Sequence, residues 1–206
     1  MNNIDNFESL KVNGINIIDN FLTEDECRDI LAESSLNPFW MAAKLASQHN
    51  NLVYHEYLSS HRKSQVLHGC NFGQNLKNRT DLIKEMLHNK INVDLEKFED
   101  WQITKYDIGD LYNFHNDCGC WKGHPSGERE KTILIYLLSP NKGGETYFRA
   151  LNHYVRPIQG RLVWWDNLLK NGNCNHGMIH AGLQVKRGTK IILNTWTRQN
   201  GFINPI

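Results

Sequence analysis

Two histidines and one carboxylate in this chain have types and spacing that could bind a metal ion. They are His115, Asp117 and, 63 residues after Asp117, His180. Residues two apart in a β-strand project on the same face, so His115 and Asp117 could hold one ion together. Two imidazoles and one carboxylate on one face of Fe(II) leave other positions open, as in non-haem iron oxygenases. The sequence therefore predicts an iron site at these three residues.

The same region allows a rival metal site with sulfur ligands. Cys118 and Cys120 follow His115 closely, and His124 comes soon after them. Thiolates together with imidazoles would favour zinc. The Cys-x-Cys spacing is shorter than that of ordinary structural zinc sites, and no second cysteine pair completes the set. We therefore expect iron rather than zinc.

A lysine opens the most β-prone run of the chain, which extends from Lys190 to Arg198. A period of two places Lys190, Ile192, Asn194, Trp196 and Arg198 on one face of this run. A lysine on an inward face is costly to bury without an anion. Lys190 is therefore either a strand-entry residue that reaches solvent or an ammonium group that pairs with a carboxylate co-substrate.

The N-terminal half is expected to be a support layer. Residues 15–18 are typical of a strand, and Thr23 with Glu26 three positions later forms a capping-box pattern at the start of a helix. Residues 82–87 predict a second amphipathic helix. The segment between these helices, 37–80, is expected to consist of loops with short strands.

From about residue 99 the pattern changes to short β-prone runs between Gly- and Asn-rich turns. Seven runs have this character: 101–106, 111–115, 131–138, 145–148, 153–156, 161–165 and 190–197. Many short strands at this spacing indicate a sandwich or jelly roll. We predict one domain over 1–206, mostly β, with a double-stranded β-helix (jelly-roll, cupin-like) core at 99–206. The N-terminal α-helices within 1–98 would brace that core.

Composition restricts the classes of partner and compartment. The 206 residues carry a net charge of +1, which gives no reason to expect a nucleic-acid or membrane surface as partner. The polar N-terminus, with Asp5 and Glu8, predicts no secretory signal, and no apolar run reaches membrane-spanning length. With an odd count of five cysteines, we expect reduced thiols and a cytoplasmic location. The oligomeric state stays open.

A series of further motifs, in order, resembles the prolyl 4-hydroxylase-like family of Fe(II)/2-oxoglutarate dioxygenases, most densely from Trp101 to Arg198. The matching residues are Tyr106-x-x-Gly109-x-x-Tyr112-x-x-His115-x-Asp117, Thr132-x-Leu134-x-Tyr136-Leu137, Gly143-Gly144-Glu145-Thr146-x-Phe148, Val155-x-Pro157-x-x-Gly160, Trp165-x-Asn167-Leu168-Leu169, His180-x-x-x-x-Val185-x-x-Gly188-x-Lys190 and Trp196-x-Arg198, with Ile18-Asp19-Asn20-Phe21-Leu22 and Arg62-x-Ser64 upstream. Gly143-Gly144 also has a structural reading as a tight turn with positive φ.

The resemblance implies a role for each matching residue. His115, Asp117 and His180 would bind Fe(II), and Lys190 would pair with the distal carboxylate of 2-oxoglutarate. Four further residues would lie near this co-substrate: Tyr106, Tyr136, Asn194 and Trp196. Retention of Asp117 favours hydroxylation over halogenation, because halogenating relatives lack this carboxylate.

Two features depart from the family. Gln184 stands where a proline is common, and the segment 118–130 is unusual in carrying two cysteines and His124. The resemblance implies that this segment lies near the substrate mouth. Trp121 and Arg129, together with Tyr112, are therefore candidate substrate contacts, although a plain surface loop would also explain the segment.

The resemblance implies an oxygenase that uses Fe(II), 2-oxoglutarate and O₂, with ascorbate as a possible reductant, and releases succinate and CO₂. Its expected substrate is a prolyl residue in a peptide or protein. One alternative is a small-molecule hydroxylase, for example of a free amino acid. A second is a non-enzymatic β-barrel binding module with a structural metal, which would bind no 2-oxoglutarate.

Overall fold

The structure is a computed structural model, and it describes residues 9–12, 14–49 and 53–203. The predicted absence of a secretory signal depends on Asp5 and Glu8, which lie outside these residues. In the described part of the chain, no helix is long and apolar enough to cross a membrane.

Two α-helices precede the main run of strands. Helix α1 (Glu24–Ser35) begins with the predicted capping box: Glu26 N–H donates to Thr23 Oγ1 (3.2 Å), and Thr23 N–H donates to Glu26 Oε2 (2.7 Å). Helix α2 (Gln74–Ile91) is three times as long as the six residues expected from the sequence. The expectation of loops over its first half is wrong. Only Leu76 and Thr80 are buried there, between polar neighbours, so the sequence shows no clear apolar stripe.

Eight strands form the major sheet. In spatial order they are β1 (Ser9–Val12), β2 (Ile15–Ile18), β14 (Leu162–Asp166), β10 (Arg129–Leu138), β17 (Lys190–Arg198), β8 (Gln102–Tyr106), β7 (Gln65–His68) and β3 (Met41–Ala42). The observed pairings in this sheet are antiparallel. The central pair β10 and β17 places the chain's most β-prone run in the middle of the sheet.

Five strands form the minor sheet. In spatial order they are β13 (His153–Val155), β12 (Thr146–Phe148), β15 (His180–Gly182), β9 (Leu111–His115) and β6 (Arg62–Lys63). Two further pairs lie outside both sheets: β4 (Leu45–His49) with β5 (Val53–Tyr57), and β11 (Lys142–Gly143) with β16 (Val185–Arg187). Each of the seven β-prone runs from residue 99 onward contains a strand, so these predictions are confirmed.

Alternation along β10 explains how the layers assemble. Ile133 and Ile135 belong to a core cluster that also contains residues of α1 and α2. Leu134 and Tyr136 belong to a second cluster, with residues of β12, β13 and β16. Successive side chains of a strand point to opposite faces, so the major sheet buries one face under the helices and the other against the minor sheet. The fold is the predicted mostly β jelly roll (double-stranded β-helix) braced by helices.

One disulfide contradicts the expectation that all five cysteines are reduced. The structure joins Cys118 to Cys174, while Cys27, Cys70 and Cys120 are free thiols. The two bonded cysteines are 56 residues apart, and only the fold brings the loop after Asp117 beside the loop that precedes His180. The alternative zinc site therefore cannot use Cys118 as a ligand, because a disulfide-bonded cysteine offers no thiolate.

Candidate metal centre

The structure brings His115, Asp117 and His180 together at the edge where β9 meets β15. The two histidines are partners in the antiparallel register of these strands. Asp117 Oδ1 lies 3.8 Å from His115 Nε2, and Asp117 Oδ2 lies 3.6 Å from His180 Nε2. Within the described residues, this is the one group of three or more His, Cys, Asp or Glu side chains close enough to share an ion.

Backbone carbonyl groups orient both imidazole rings. His115 Nδ1 lies 2.8 Å from the oxygen of Asn113, and His180 Nδ1 lies 3.0 Å from the oxygen of Met178. A carbonyl can only accept, so Nδ1 donates in each ring and the Nε2 lone pair is left for a ligand. Such fixing of the tautomer is the usual function of residues around a metal ligand.

The local electrostatics favours the deprotonated forms that metals require. Burial, and then the neighbouring charge of His180, lowers the pKa of His115 to about 3. Burial acts to raise the pKa of Asp117, but His180, His115, Arg129 and a hydrogen bond from Thr132 together lower it to about 2. At neutral pH this site therefore presents a neutral His115 beside an ionised carboxylate.

Lys190 is buried, and no carboxylate of the described residues makes a direct ion pair with it. Lys190 is only 2% exposed, and its Nζ donates a hydrogen bond to the carbonyl oxygen of Gly144 (3.0 Å). Among the described residues no carboxylate oxygen lies within 4.0 Å of Nζ, and burial lowers the pKa of Lys190 to about 8. An isolated buried ammonium is costly, so this position is suited to an anion brought in from outside.

Gly144 contributes to the Lys190 pocket through its backbone. Gly143 and Gly144 both have positive φ (79° and 78°), as the turn prediction requires. A Cβ on Gly144 would lie 3.0 Å from Pro140 Cγ and 3.4 Å from Lys190 Cδ. The turn therefore also delivers the carbonyl oxygen that holds the ammonium group.

A single cavity of about 570 Å³ joins the three clustered residues to Lys190. Its wall includes most of the other predicted site residues: Tyr106, Tyr112, Trp121, Arg129, Asn194 and Trp196. Tyr136 is different, because it is fully buried behind the wall and its hydroxyl lies 2.7 Å from Thr146 Oγ1. Thr146 lines the cavity in its place.

Aromatic rings cover the triad and the ammonium group. The Tyr112 ring stacks on His115 with centroids 3.6 Å apart, and Trp165 meets His180 edge to face at 4.7 Å. The Tyr106 ring lies under Lys190 Nζ, 4.4 Å from it. These rings displace water from one face of each imidazole and of the ammonium group, which strengthens electrostatic interactions there.

Arg129 is the first residue of β10, and contacts with buried side chains hold its guanidinium in place. Its guanidinium forms a bidentate ion pair with the Glu99 carboxylate (2.7 and 2.8 Å) and lies 3.5 Å from the centroid of the Trp196 ring. Arg198 Nε contacts the same carboxylate at 2.6 Å, and its guanidinium lies 4.1 Å from the centroid of Trp121. Arg129 therefore lies in a strand rather than in the surface loop, whereas Trp121 lies in the loop before β10 with its side chain buried.

Four residues of the cavity wall carry a buried polar atom with neither a hydrogen bond nor an ion pair within the described residues: Arg62 Nε, Gln102 Oε1, Trp165 Nε1 and Trp196 Nε1. Trp196 is a predicted site residue, and Arg62 and Trp165 belong only to the matching motifs. Gln102 has no role in the sequence analysis. Buried polar groups are normally paired, but these four atoms expose almost no surface to the cavity, so a ligand can pair with them only after the side chains rotate.

Comparison with known proteins finds a family likeness in the β-rich part of the chain. Residues 101–198 match the model of the 2OG-Fe(II) oxygenase superfamily. A putative prolyl 4-hydroxylase of Acanthamoeba polyphaga mimivirus is 32% identical over 158 residues, which cover 68% of this chain and 64% of that protein. The prolyl 4-hydroxylase subunit alpha-1 of Caenorhabditis elegans is 31% identical over 116 residues, or 53% of this chain and 21% of that protein. This chain therefore spans less than two thirds of these relatives.

Solved structures extend the likeness over most of the fold. The viral collagen prolyl hydroxylase of Paramecium bursaria Chlorella virus-1, in its complex with 2OG, superposes with a TM-score of 0.68 and 26% identity, covering 90% of this chain and 96% of that one. A Pseudomonas putida prolyl-4-hydroxylase superposes with a TM-score of 0.59 at 18% identity, covering 91% of this chain and 94% of that one, and shows the fold alone.

Proposed function

We propose that this chain, which resembles the 2OG-Fe(II) oxygenase superfamily and its prolyl 4-hydroxylase-like branch, hydroxylates a prolyl residue of a peptide or protein. Fe(II), 2-oxoglutarate and O₂ are the proposed cofactor and co-substrates, with succinate and CO₂ as co-products and ascorbate as a reductant. The main support is that one cavity contains both a His/Asp/His cluster and a buried ammonium group with which no carboxylate of the described residues forms an ion pair.

The residues present fit these groups. His115, Asp117 and His180 offer two nitrogens and one oxygen, the donor set of non-haem Fe(II) sites with open positions. Bound there, the iron would supply activation of O₂ coupled to decarboxylation of the 2-oxoacid. Lys190 supplies the opposite charge for the distal carboxylate of the 2-oxoacid, at the end of the cavity where Nζ contacts the Tyr106 ring and the carbonyl oxygen of Gly144.

The side chains of the cavity bind the 2-oxoacid and position the metal ligands. Lys190 Nζ donates to the carboxylate in a charge-assisted hydrogen bond and thereby selects the length of the 2-oxoacid. The rings of Tyr112 and Trp165 hold the imidazoles in place and exclude water from them. Positioning of the reacting groups in a shielded cavity is the main contribution of a protein to this kind of chemistry.

A peptide fits this cavity better than a free amino acid. Polar side chains of the cavity wall come from three different strands: Arg62 from β6, Trp196 from β17 and Gln102 from β8. A peptide backbone offers alternating acceptors and donors along its length, so it can pair with such groups in succession. The cavity wall continues past them to Met41 and Leu45, which gives room for residues on either side of the reacting proline.

Succinate formation with matched substrates tests the proposal. The substrates are a proline-containing peptide, the same peptide with alanine at that position, and free proline. We expect succinate, and the gain of one oxygen atom, only with the first peptide. Turnover of free proline alone would instead favour the small-molecule hydroxylase.

Asp117→Ala serves as the control variant. We expect it to fold, since the carboxylate lies at a cavity wall rather than in the apolar core, and to form no succinate. Near-normal succinate formation by this variant would contradict the assignment of the triad. Tight zinc binding by the wild-type protein without any binding of 2-oxoglutarate would favour the non-enzymatic binding module.

A further inference from the structure

The Asp117 carboxylate is held by a hydroxyl group from the major sheet. Thr132, on β10, donates from Oγ1 to Asp117 Oδ2 at 2.5 Å. Both residues are buried, with Thr132 4% and Asp117 9% exposed. A short hydrogen bond between a hydroxyl and a carboxylate is charge-assisted and about twice as strong as a neutral one.

Asn167 extends this contact into a chain of two hydrogen bonds. Its Nδ2 lies 2.8 Å from Thr132 Oγ1. A threonine hydroxyl has one hydrogen, and the short contact with Asp117 uses it. The Asn167 amide must therefore be the donor, and the direction runs from Asn167 through Thr132 to Asp117.

The backbone of Asn167 is fixed from both sides. Its N–H donates to the carbonyl oxygen of Glu130 (2.8 Å), and its carbonyl oxygen accepts from the N–H of Asn175 (2.7 Å). Asn167 thus ties the loop that leads to His180 to the strand that carries Thr132. The two sequence motifs that contain Thr132 and Asn167 therefore meet at Asp117, a contact that the sequence alone does not show.

We propose that Thr132 and Asn167 are positioning residues that keep Asp117 a one-oxygen metal ligand, an inference that rests on the proposed function. The Thr132 hydroxyl engages Oδ2, while Oδ1 accepts no hydrogen bond within the described residues. A carboxylate that used both oxygens would occupy an additional coordination position. The reaction needs the positions left open by the facial triad for the 2-oxoacid and O₂.

A merely structural role for Thr132 makes a different prediction. Replacing Thr132 with the similarly shaped valine removes only the hydroxyl and leaves Asp117 Oδ2 without its donor. If the hydroxyl only stabilised the fold, Thr132→Val would lower the midpoint of unfolding and leave metal binding unchanged. If it positions Asp117, metal binding must change, and Thr132→Ser, which keeps the hydroxyl, must restore it.

Co(II) binding to the metal-free protein is the decisive measurement, because it reports affinity by calorimetry and ligand geometry by the visible spectrum without any turnover. We expect Thr132→Val to bind Co(II) roughly 10- to 100-fold more weakly, the usual effect of losing a partner of a metal ligand. Its Co(II) spectrum should differ from that of the wild type, since the freed carboxylate can change its mode of binding. Thr132→Ser should match the wild type in both.

Asn167→Ala provides a second test that leaves Thr132 in place. It should weaken Co(II) binding less than Thr132→Val does, because the hydroxyl remains but loses its orienting donor. If Thr132→Val fails to fold, Asn167→Ala decides: weaker Co(II) binding supports the proposal, and unchanged binding overturns it.

The outcomes for the two proposals can be told apart. Wild-type affinity and spectrum in Thr132→Val, in a protein that forms succinate from 2-oxoglutarate, would overturn the positioning role alone. Weakened Co(II) binding in Thr132→Val, in a protein without 2-oxoglutarate turnover, would support the positioning role and overturn the proposed reaction.

Discussion

Lys190 and Tyr106 are direct partners across β17 and β8, and the ammonium nitrogen of Lys190 lies 4.4 Å from the centroid of the Tyr106 ring. A ring face attracts a cation, and the carbonyl oxygen of Gly144 accepts one of its hydrogens. These contacts offset only part of the cost of burying a charge. The ammonium group is therefore held ready for an anion.

Lys190→Met should weaken 2-oxoglutarate binding by roughly 10- to 100-fold, because a hydrogen bond to a charged group contributes about 1.5–3 kcal/mol. The dissociation constant of 2-oxoglutarate, measured under anaerobic conditions with Mn(II), checks this. Lys105→Met is the matched control, since Lys105 lies on β8 but pairs with Asp107 at a partly exposed position. Equal binding by both variants would remove Lys190 from its assigned role.

The same lysine should give the ligand-free protein a distinctive dependence on pH. Burial lowers the pKa of Lys190 from 10.5 to about 8, so the folded state binds fewer protons than the unfolded state between these values. Stability therefore rises as pH increases from about 8 to 10.5, and the destabilisation is complete below pH 8. Denaturant unfolding at pH 7.5 and 10 should show a smaller rise in Lys190→Met than in the wild type. An identical pH dependence in the two proteins would contradict the buried charge.

The sequence predicted those parts of the site that reside in contiguous patterns. His115 with Asp117 and the inward face of β17 follow from a period of two, and Thr23 with Glu26 follows from local capping chemistry. By contrast, Glu99 and Thr132 reach the cavity, and Asn167 reaches Thr132, from separate segments, so only the fold shows these contacts. The Cys118–Cys174 bond was missed for the same reason. The sequence places Arg129 in a loop because the first residues of β10 are charged and do not look β-prone.

Glu99→Gln should destabilise the protein by about 3–5 kcal/mol, because it leaves the buried guanidinium groups of Arg129 and Arg198 without their carboxylate. Its control is Asp19→Asn, which breaks a similar two-pronged pair with Arg161 (2.6 and 2.9 Å) where Asp19 is 46% exposed. The control should lose at most about 1 kcal/mol. Free energies of unfolding in urea compare the two variants. A loss for Glu99→Gln as small as that of Asp19→Asn would show that the cluster is solvated.

Breaking the bond between Cys118 and Cys174 should lower the free energy of unfolding by up to about 4 kcal/mol, since a crosslink over 56 residues restricts the unfolded chain. The bond ties the residue after Asp117 to the loop before His180, so the loss should come with faster amide exchange in 118–130. Peptide mapping without reductant identifies the bond, and urea unfolding of the Cys118→Ser/Cys174→Ser protein measures its contribution. Cys70→Ser, which removes a free and exposed thiol, is the control. Recovery of Cys118 and Cys174 as free thiols from protein purified without reductant would contradict the bond.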